Sequence, residues 1–237
     1  MRACAIGVSV LFASASFAQA NVTFSFASDT QSMQSTFSGG GVLLRQDGVD
    51  GARLELLADD ANGPLPTISF DTIFFADLTL DFVDSVSLPG GSLTRVYEVN
   101  GTFGFNDADT GQPLLEAVVS TGSLSSLGTD DRWGSSASIE ASSVIDKTTS
   151  YTWLGDSIPA YNLFQGAESS FADASFTLTN ILDSLGVPGV ELRGSSQLPQ
   201  GSWTSEGSYS GSAFFIPTPA SGVLLAAAGA VATRRRR

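Results

Sequence analysis

Residues 68–83 read Ile-Ser-Phe-Asp-Thr-Ile-Phe-Phe-Ala-Asp-Leu-Thr-Leu-Asp-Phe-Val. The even positions carry Ile68, Phe70, Thr72, Phe74, Ala76, Leu78, Leu80 and Phe82. The odd ones carry Ser69, Asp71, Asp77, Thr79 and Asp81, mixed with Ile73, Phe75 and Val83. Side chains alternate across a strand with period two, so the stretch predicts one strand or a pair, with one face in a core and the other largely in water. The same period recurs at Val22, Phe24 and Phe26; at Tyr97, Val99, Phe103 and Phe105; at Ala137, Ile139, Ala141 and Ile145; at Tyr151 and Trp153; at Phe176 and Leu178; and at Trp203, Tyr209 and Phe215.

Turn-forming clusters punctuate these runs. Among them are Gly39-Gly40-Gly41, Asp47-Gly48, Asn62-Gly63-Pro64, Pro89-Gly90-Gly91, Asn100-Gly101, Asp107 to Gly111, Gly128 to Asp131 and Gly194-Ser195-Ser196. Such residues tolerate positive φ or bond their own backbone. Short strands separated by turns predict an all-β fold, an antiparallel β-sandwich or jelly-roll-like domain with a β-barrel as the alternative. Two short helices are expected, at Asn180–Gly186, with Asn180 as N-cap, and around Leu163–Ala172. The Gly/Ser/Asp-rich stretch 122–136 is a candidate seam within an otherwise single domain. Asn21-Val-Thr-Phe-Ser-Phe and Asn100-Gly-Thr-Phe-Gly-Phe echo one another, a coincidence that a Phe- and Ser-rich β protein produces cheaply.

Composition bounds the chemistry. The chain has 237 residues, 42% of them apolar and only 15% charged, with no histidine and one cysteine. An imidazole base or ligand is therefore absent, which excludes Ser-His-Asp and Cys-His catalysis and histidine-based zinc sites. Carboxylates are the plentiful reactive groups, and Glu98 and Glu116, on predicted strands, are the nominees for a glycosidase pair. The plainer reading is that both are solvated on outward strand faces. Asp71, Asp77 and Asp81 share one polar strand face, as cation ligands or simply as solubilising charge. Asn106-Asp107-Ala108-Asp109-Thr110-Gly111 begins like a calcium loop, but Gly111 and Val118 fall where an EF-hand needs other spacing and a bidentate Glu, so a hairpin turn is favoured. Of the three tryptophans, Trp153 reads as core. Trp133, in a polar loop, and Trp203 are the candidates for an exposed, sugar-stacking face. No catalytic, cofactor-binding or metal-binding residue is assigned, and no cofactor is expected.

The two ends carry addresses. Arg2, then the apolar run Ala5–Ala13, then Ala18-Gln19-Ala20 form the three parts of a secretory signal, with Ala18 and Ala20 at the −3 and −1 positions of the cleavage site. Cys4 precedes the apolar core, so a lipoprotein signal is not formed. At the other end Pro217-Thr218-Pro219 leads into the apolar run Ala220–Thr233 and then Arg234-Arg235-Arg236-Arg237. A helix through that run would cover roughly 21 Å of a hydrocarbon layer about 30 Å thick. The prolines keep it from growing backwards, while the arginines, which can snorkel to lengthen its reach, hold their end in the cytoplasm. This describes a marginal, transient membrane anchor.

This tail resembles the PEP-CTERM sorting signal, a tripartite element recognised by exosortases in Gram-negative bacteria that make extracellular polysaccharide. Residues 216–237 match its order of proline motif, apolar segment and Arg-rich end. The central Glu is replaced by Thr218, as in related Pro-Thr-Pro variants. The resemblance implies a Sec-type export machinery and an exosortase-like membrane protease as partners, with exopolysaccharide as a further one. It implies cleavage near Pro217–Pro219 and a final location at the cell surface or in the extracellular matrix.

Three segments follow: a signal peptide at 1–20, an extracellular all-β domain at 21–216 and a sorting tail at 217–237. All 24 acidic residues lie in the middle segment against six basic ones, a net charge of −18. A polyanionic body disfavours nucleic acid as a partner. The expected function is that of a non-enzymatic envelope or matrix component. A carbohydrate-binding module, a carboxylate glycosidase and a permanently anchored surface protein are the alternatives.

Overall fold

The computed structural model describes residues 20–27, 35–37, 42–43, 53–61, 63, 65–142, 148–161 and 163–215. Thirteen strands fill them: β1 (Ala20–Ala27), β2 (Ser35–Phe37), β3 (Val42–Leu43), β4 (Arg53–Asp60), β5 (Ile68–Ser87), β6 (Leu93–Asp107), β7 (Pro113–Thr129), β8 (Arg132–Ser142), β9 (Thr148–Trp153), β10 (Ala167–Asp183), β11 (Leu192–Arg193), β12 (Leu198–Pro199) and β13 (Trp203–Phe215). The fold is all-β, dominated by one large antiparallel sheet. Its ladder runs β1–β4–β5–β6–β7–β8–β10–β13, and β13 pairs back onto β1, so the hydrogen bonding forms a closed circuit. The circuit is that of a barrel, the alternative in the sequence reading, and not of two separate facing sheets. β9 is wedged between the first half of β7 and the start of β10.

Alternation decides which residues fill the interior. Along β5 the even positions from Thr72 to Leu80 are buried, while Asp71, Asp77, Thr79 and Asp81 are exposed. A closed sheet of about eight strands leaves an interior just wide enough to be filled by side chains. Here aromatic rings fill it. Phe103 meets Phe176 edge-on at 4.9 Å, Phe26 meets Phe105 at 5.7 Å, and Phe176 meets Tyr209 at 4.7 Å. Such pairs contribute about 0.5–1.5 kcal/mol each beyond their burial. The two echoed segments lie in β1 and β6, and both send two phenylalanines inward: Phe24 and Phe26, Phe103 and Phe105.

Past Leu80, β5 leaves the core. A register shift between Phe82 and Asp84 marks the point, and every residue from Asp81 to Ser87 is exposed.

Several sequence expectations are overturned. The stretch 122–136 is no seam: it is the β7–β8 hairpin. Its glycines serve close approach, since a Cβ on Gly128 would lie 2.0 Å from the Arg132 carbonyl oxygen. Asn100-Gly101 is no turn but lies within β6 at a bulge, where the Asn100 amide oxygen accepts the Thr121 N–H at 2.7 Å. Neither expected helix forms. Residues 180–183 continue β10 and 184–186 turn, while 167–172 are already strand. Segments this short cannot nucleate a helix alone, and pairing with β13 offers them a ladder instead. Pro159–Tyr161 makes one turn of 3-10 helix. Among the described residues no helix is long and apolar enough to cross a membrane. The apolar run 220–233 lies outside them.

Candidate functional site

A pocket of about 670 Å³ opens at one end of the barrel, between the β6–β7 hairpin and the loop that follows β9. Phe70 lines its floor and packs on the fully buried Trp153 ring beneath, with centroids 5.6 Å apart and planes inclined at 58°. Local bonding explains the shape. Trp153 ends β9, and its indole N–H donates to the Asp156 carbonyl at 2.9 Å, curling the loop back over the ring. The Leu154 and Gly155 N–H groups both donate to the Leu114 carbonyl, at 2.8 and 3.1 Å, which ties the loop to β7. Gly155 is required there, because a Cβ would stand 2.8 Å from the Leu114 side chain and 2.9 Å from the Trp153 ring.

The rim is polar. Asp107, Thr110 and Gln112 stand on one side, and Asp156 and Gln165 on the other. Asp107 Oδ1 accepts the Thr110 N–H and hydroxyl, each at 2.7 Å, and so shapes its own hairpin. Gln165 donates from Nε2 to the Leu154 carbonyl at 3.4 Å. An apolar floor offered by Phe70, with amides, a hydroxyl and carboxylates around it, suits a compact polyhydroxylated ligand whose C–H face packs on that one ring while its hydroxyls reach the rim, Trp153 itself being fully buried.

A shallower depression of about 390 Å³ on the outer wall is lined by Thr94, Ser125, Ser138 and Thr177, with the Ser125 and Ser138 hydroxyls 2.8 Å apart.

The residues nominated from sequence are dispersed. Glu98 faces Ser123 and Glu116 faces Gly104 on the same pair of strands, six rungs apart, which is about 20 Å along the sheet. A glycosidase needs its two carboxyls about 5–9.5 Å apart, so these two do not form such a pair. Glu98 accepts from the Asn100 amide at 2.9 Å. Asp71, Asp77 and Asp81 line the outward face of β5. Among the described residues no group of three or more Asp, Glu or Cys side chains is placed to hold a metal ion.

Trp133 is not exposed, contrary to expectation. It is 1% accessible, packs edge-on against Tyr97 and Trp203, and its indole N–H donates to the Tyr97 hydroxyl at 2.8 Å. Trp203 is equally buried against Phe37, with ring centroids 4.2 Å apart. The pairing of Gly128 with Trp133 turns that side chain into the barrel, a placement that loop-like composition hides. Ala20 opens β1, whereas Ala18, Pro217, Thr218, Pro219 and Arg234–Arg237 lie outside the described residues.

The pocket residues Phe70, Gln112, Asp156 and Gln165 went unread in the sequence. Phe70 was legible only as an inward strand position, and no local signal joins 107–113 to 154–165.

Comparison with known protein families, curated proteins and solved structures finds no match.

Proposed function

We propose that this chain is an exported, non-enzymatic surface or matrix protein, a closed acidic barrel carried between two removable addresses. The observation that carries the reading is one rung of the sheet. Ala20, the last residue of the signal-like segment, pairs with Phe215, two positions before the Pro217-Thr218-Pro219 motif. The described barrel therefore begins and ends on one rung. Cuts after Ala20 and near Pro217–Pro219 would leave the ring of strand pairings intact except at its terminal rung. The outward aspartates of β5 and the net charge of −18 keep such a body hydrated once released. In this reading the Arg-tipped tail is held briefly in the inner membrane and cut by an exosortase-like protease.

Intact mass of the exported protein tests it. A chain that begins at Asn21 and lacks Arg234–Arg237 supports processing. A chain that retains the arginines in the membrane fraction would favour the permanent anchor instead.

A second reading, carbohydrate binding, rests on the Phe70–Trp153 pocket. A glycan array with the wild-type protein and Phe70→Ala tests it: binding lost in the variant supports the pocket, and binding unchanged removes it.

A further inference from the structure

The Phe70 pocket carries charge of one sign. Asp107 stands on its β6–β7 side and Asp156 on its β9–β10 side, and no lysine or arginine is among the described residues that line it. Arg95, Arg132 and Arg193 stand at the other end of the barrel. Arg95 precedes Asp107 on β6 by about 40 Å of strand. Arg132 is held there by Asp183, and Arg193 opens a 3-10 turn (Gly194–Ser196) that ends at Gln197, whose amide oxygen takes the Arg95 Nε–H.

The rim of the pocket is preformed. Ile158 and Leu163 exchange backbone bonds at 2.7 and 3.3 Å, and the Gly166 N–H donates to the Trp153 carbonyl at 2.8 Å. The Ser157 hydroxyl oxygen accepts the Gln165 N–H at 3.3 Å. These bonds fix the loop that presents Asp156 and Gln165. Across the mouth, Asp107 Oδ1 is committed to its own hairpin, where it accepts the Asp109 and Thr110 N–H groups and the Thr110 hydroxyl. Asp156 differs. Among the described residues its carboxylate makes no bond to the protein, and neither does the Gln112 side-chain amide.

A cleft walled by carboxylates gathers cations and repels anions. A phenyl face attracts an ammonium or a pyranose C–H face, and free amides bond hydroxyls. A volume of about 670 Å³ falls within the range of small-molecule sites. We infer that the pocket selects an amine-bearing sugar, a hexosamine unit with a free ammonium, over neutral and acidic sugars, and that Asp156 sets the preference. The inference rests on the carbohydrate-binding reading above and adds to it the charge of the ligand. The sugar covers the Phe70 ring with its C–H face, donates from its ammonium to the Asp156 carboxylate, and turns its hydroxyls to Gln112 and Gln165. A uronic acid would bring a further negative charge to the rim. An N-acetyl group would remove the cation.

Calorimetric titration of the exported protein with disaccharides of glucosamine, N-acetylglucosamine and glucuronic acid tests this. At low salt the glucosamine form should bind roughly tenfold tighter than the acetylated one, with the acidic sugar weakest. High salt should shrink the difference. Asp156→Asn should abolish the difference while leaving the acetylated sugar's affinity as it was, and Phe70→Ala should weaken both. The sugar comparison needs only the wild-type protein, so it decides the matter even if Phe70→Ala fails to fold. Equal or tighter binding of the acetylated sugar would overturn the amine preference and leave the carbohydrate reading standing. Glucosamine binding that persisted in both variants would also overturn it, as general attraction to an acidic body. Binding of none of the three sugars would end both the inference and the reading beneath it.

Discussion

The Tyr209 hydroxyl donates to the Tyr151 hydroxyl across 2.6 Å in the centre of the barrel, and Tyr151 passes the bond on to the Asp173 carbonyl at 2.8 Å. The chain crosses β13, β9 and β10, three strands joined by no short turn. Both hydroxyls rest over Gly211, where an added Cβ would lie 2.3 Å from one and 2.4 Å from the other. Two polar groups are thus satisfied in an otherwise aromatic interior, and one glycine makes room for them.

Gly211→Ala should therefore overpack the interior and cost about 1–3 kcal/mol. Urea unfolding reads this as a lower midpoint with an unchanged slope. Tyr209→Phe should cost less, about 0.5–1.5 kcal/mol, because Tyr151 keeps its bond to Asp173. If Gly211→Ala unfolded at the wild-type midpoint, the close approach over residue 211 would be wrong.

Alkaline pH should destabilise the barrel. Burial raises the Tyr151 and Tyr209 hydroxyls above the ordinary tyrosine value of 10.0. Folded tyrosines thus keep protons that unfolded ones release, and stability falls as pH climbs above about 10. Below that value the two states bind equally and no dependence arises from this pair. Unfolding free energy measured at pH 8, 9, 10 and 11 should be flat and then decline, with a shallower decline in Tyr209→Phe. A profile that stayed level to pH 11 would contradict the burial of the pair.

Asp183 should titrate below the ordinary value of 3.8. The Val187 backbone N–H lowers it most, then the bond from Arg132. A depressed carboxyl stabilises the folded form above its unfolded value, and that contribution fades as pH falls through the folded one. Carboxyl NMR should place Asp183 below the ordinary aspartate value. Asp183→Asn should speed amide exchange at Leu185 and Val187, whose N–H groups each donate to Oδ1 at 2.9 Å. Unchanged exchange would show that the turn does not depend on that carboxylate.

If the tail acts as proposed, replacing Arg234–Arg237 with serine should shift the protein between the membrane and exported fractions. Fractionation followed by intact mass reads the change. If location and mass both matched the wild type, the tail would have no part in sorting.

Much of the barrel wall was legible in residues 68–83, because strand alternation is a local property. Phe74, Ala76, Leu78 and Leu80 point inward for the same reason that Asp77, Thr79 and Asp81 point outward, and no distant residue has to be known to say so. The proposed signal and sorting tail rest likewise on local composition at the two ends, with no tertiary contact entering the reading. Ring closure was not readable. It depends on β13 finding β1 from the far end of the body, and on glycines such as Gly128 and Gly211 that look like linker residues until a neighbouring strand lies against them. Trp133 and Arg95 make the same point from opposite chemistries. A polar-looking loop put a tryptophan in the interior, and an unremarkable alternating position buried a guanidinium that meets no carboxylate among the described residues. Periodicity states which face a side chain takes. Only the long-range pairings decide what meets it there, because those contacts join residues that share no local pattern.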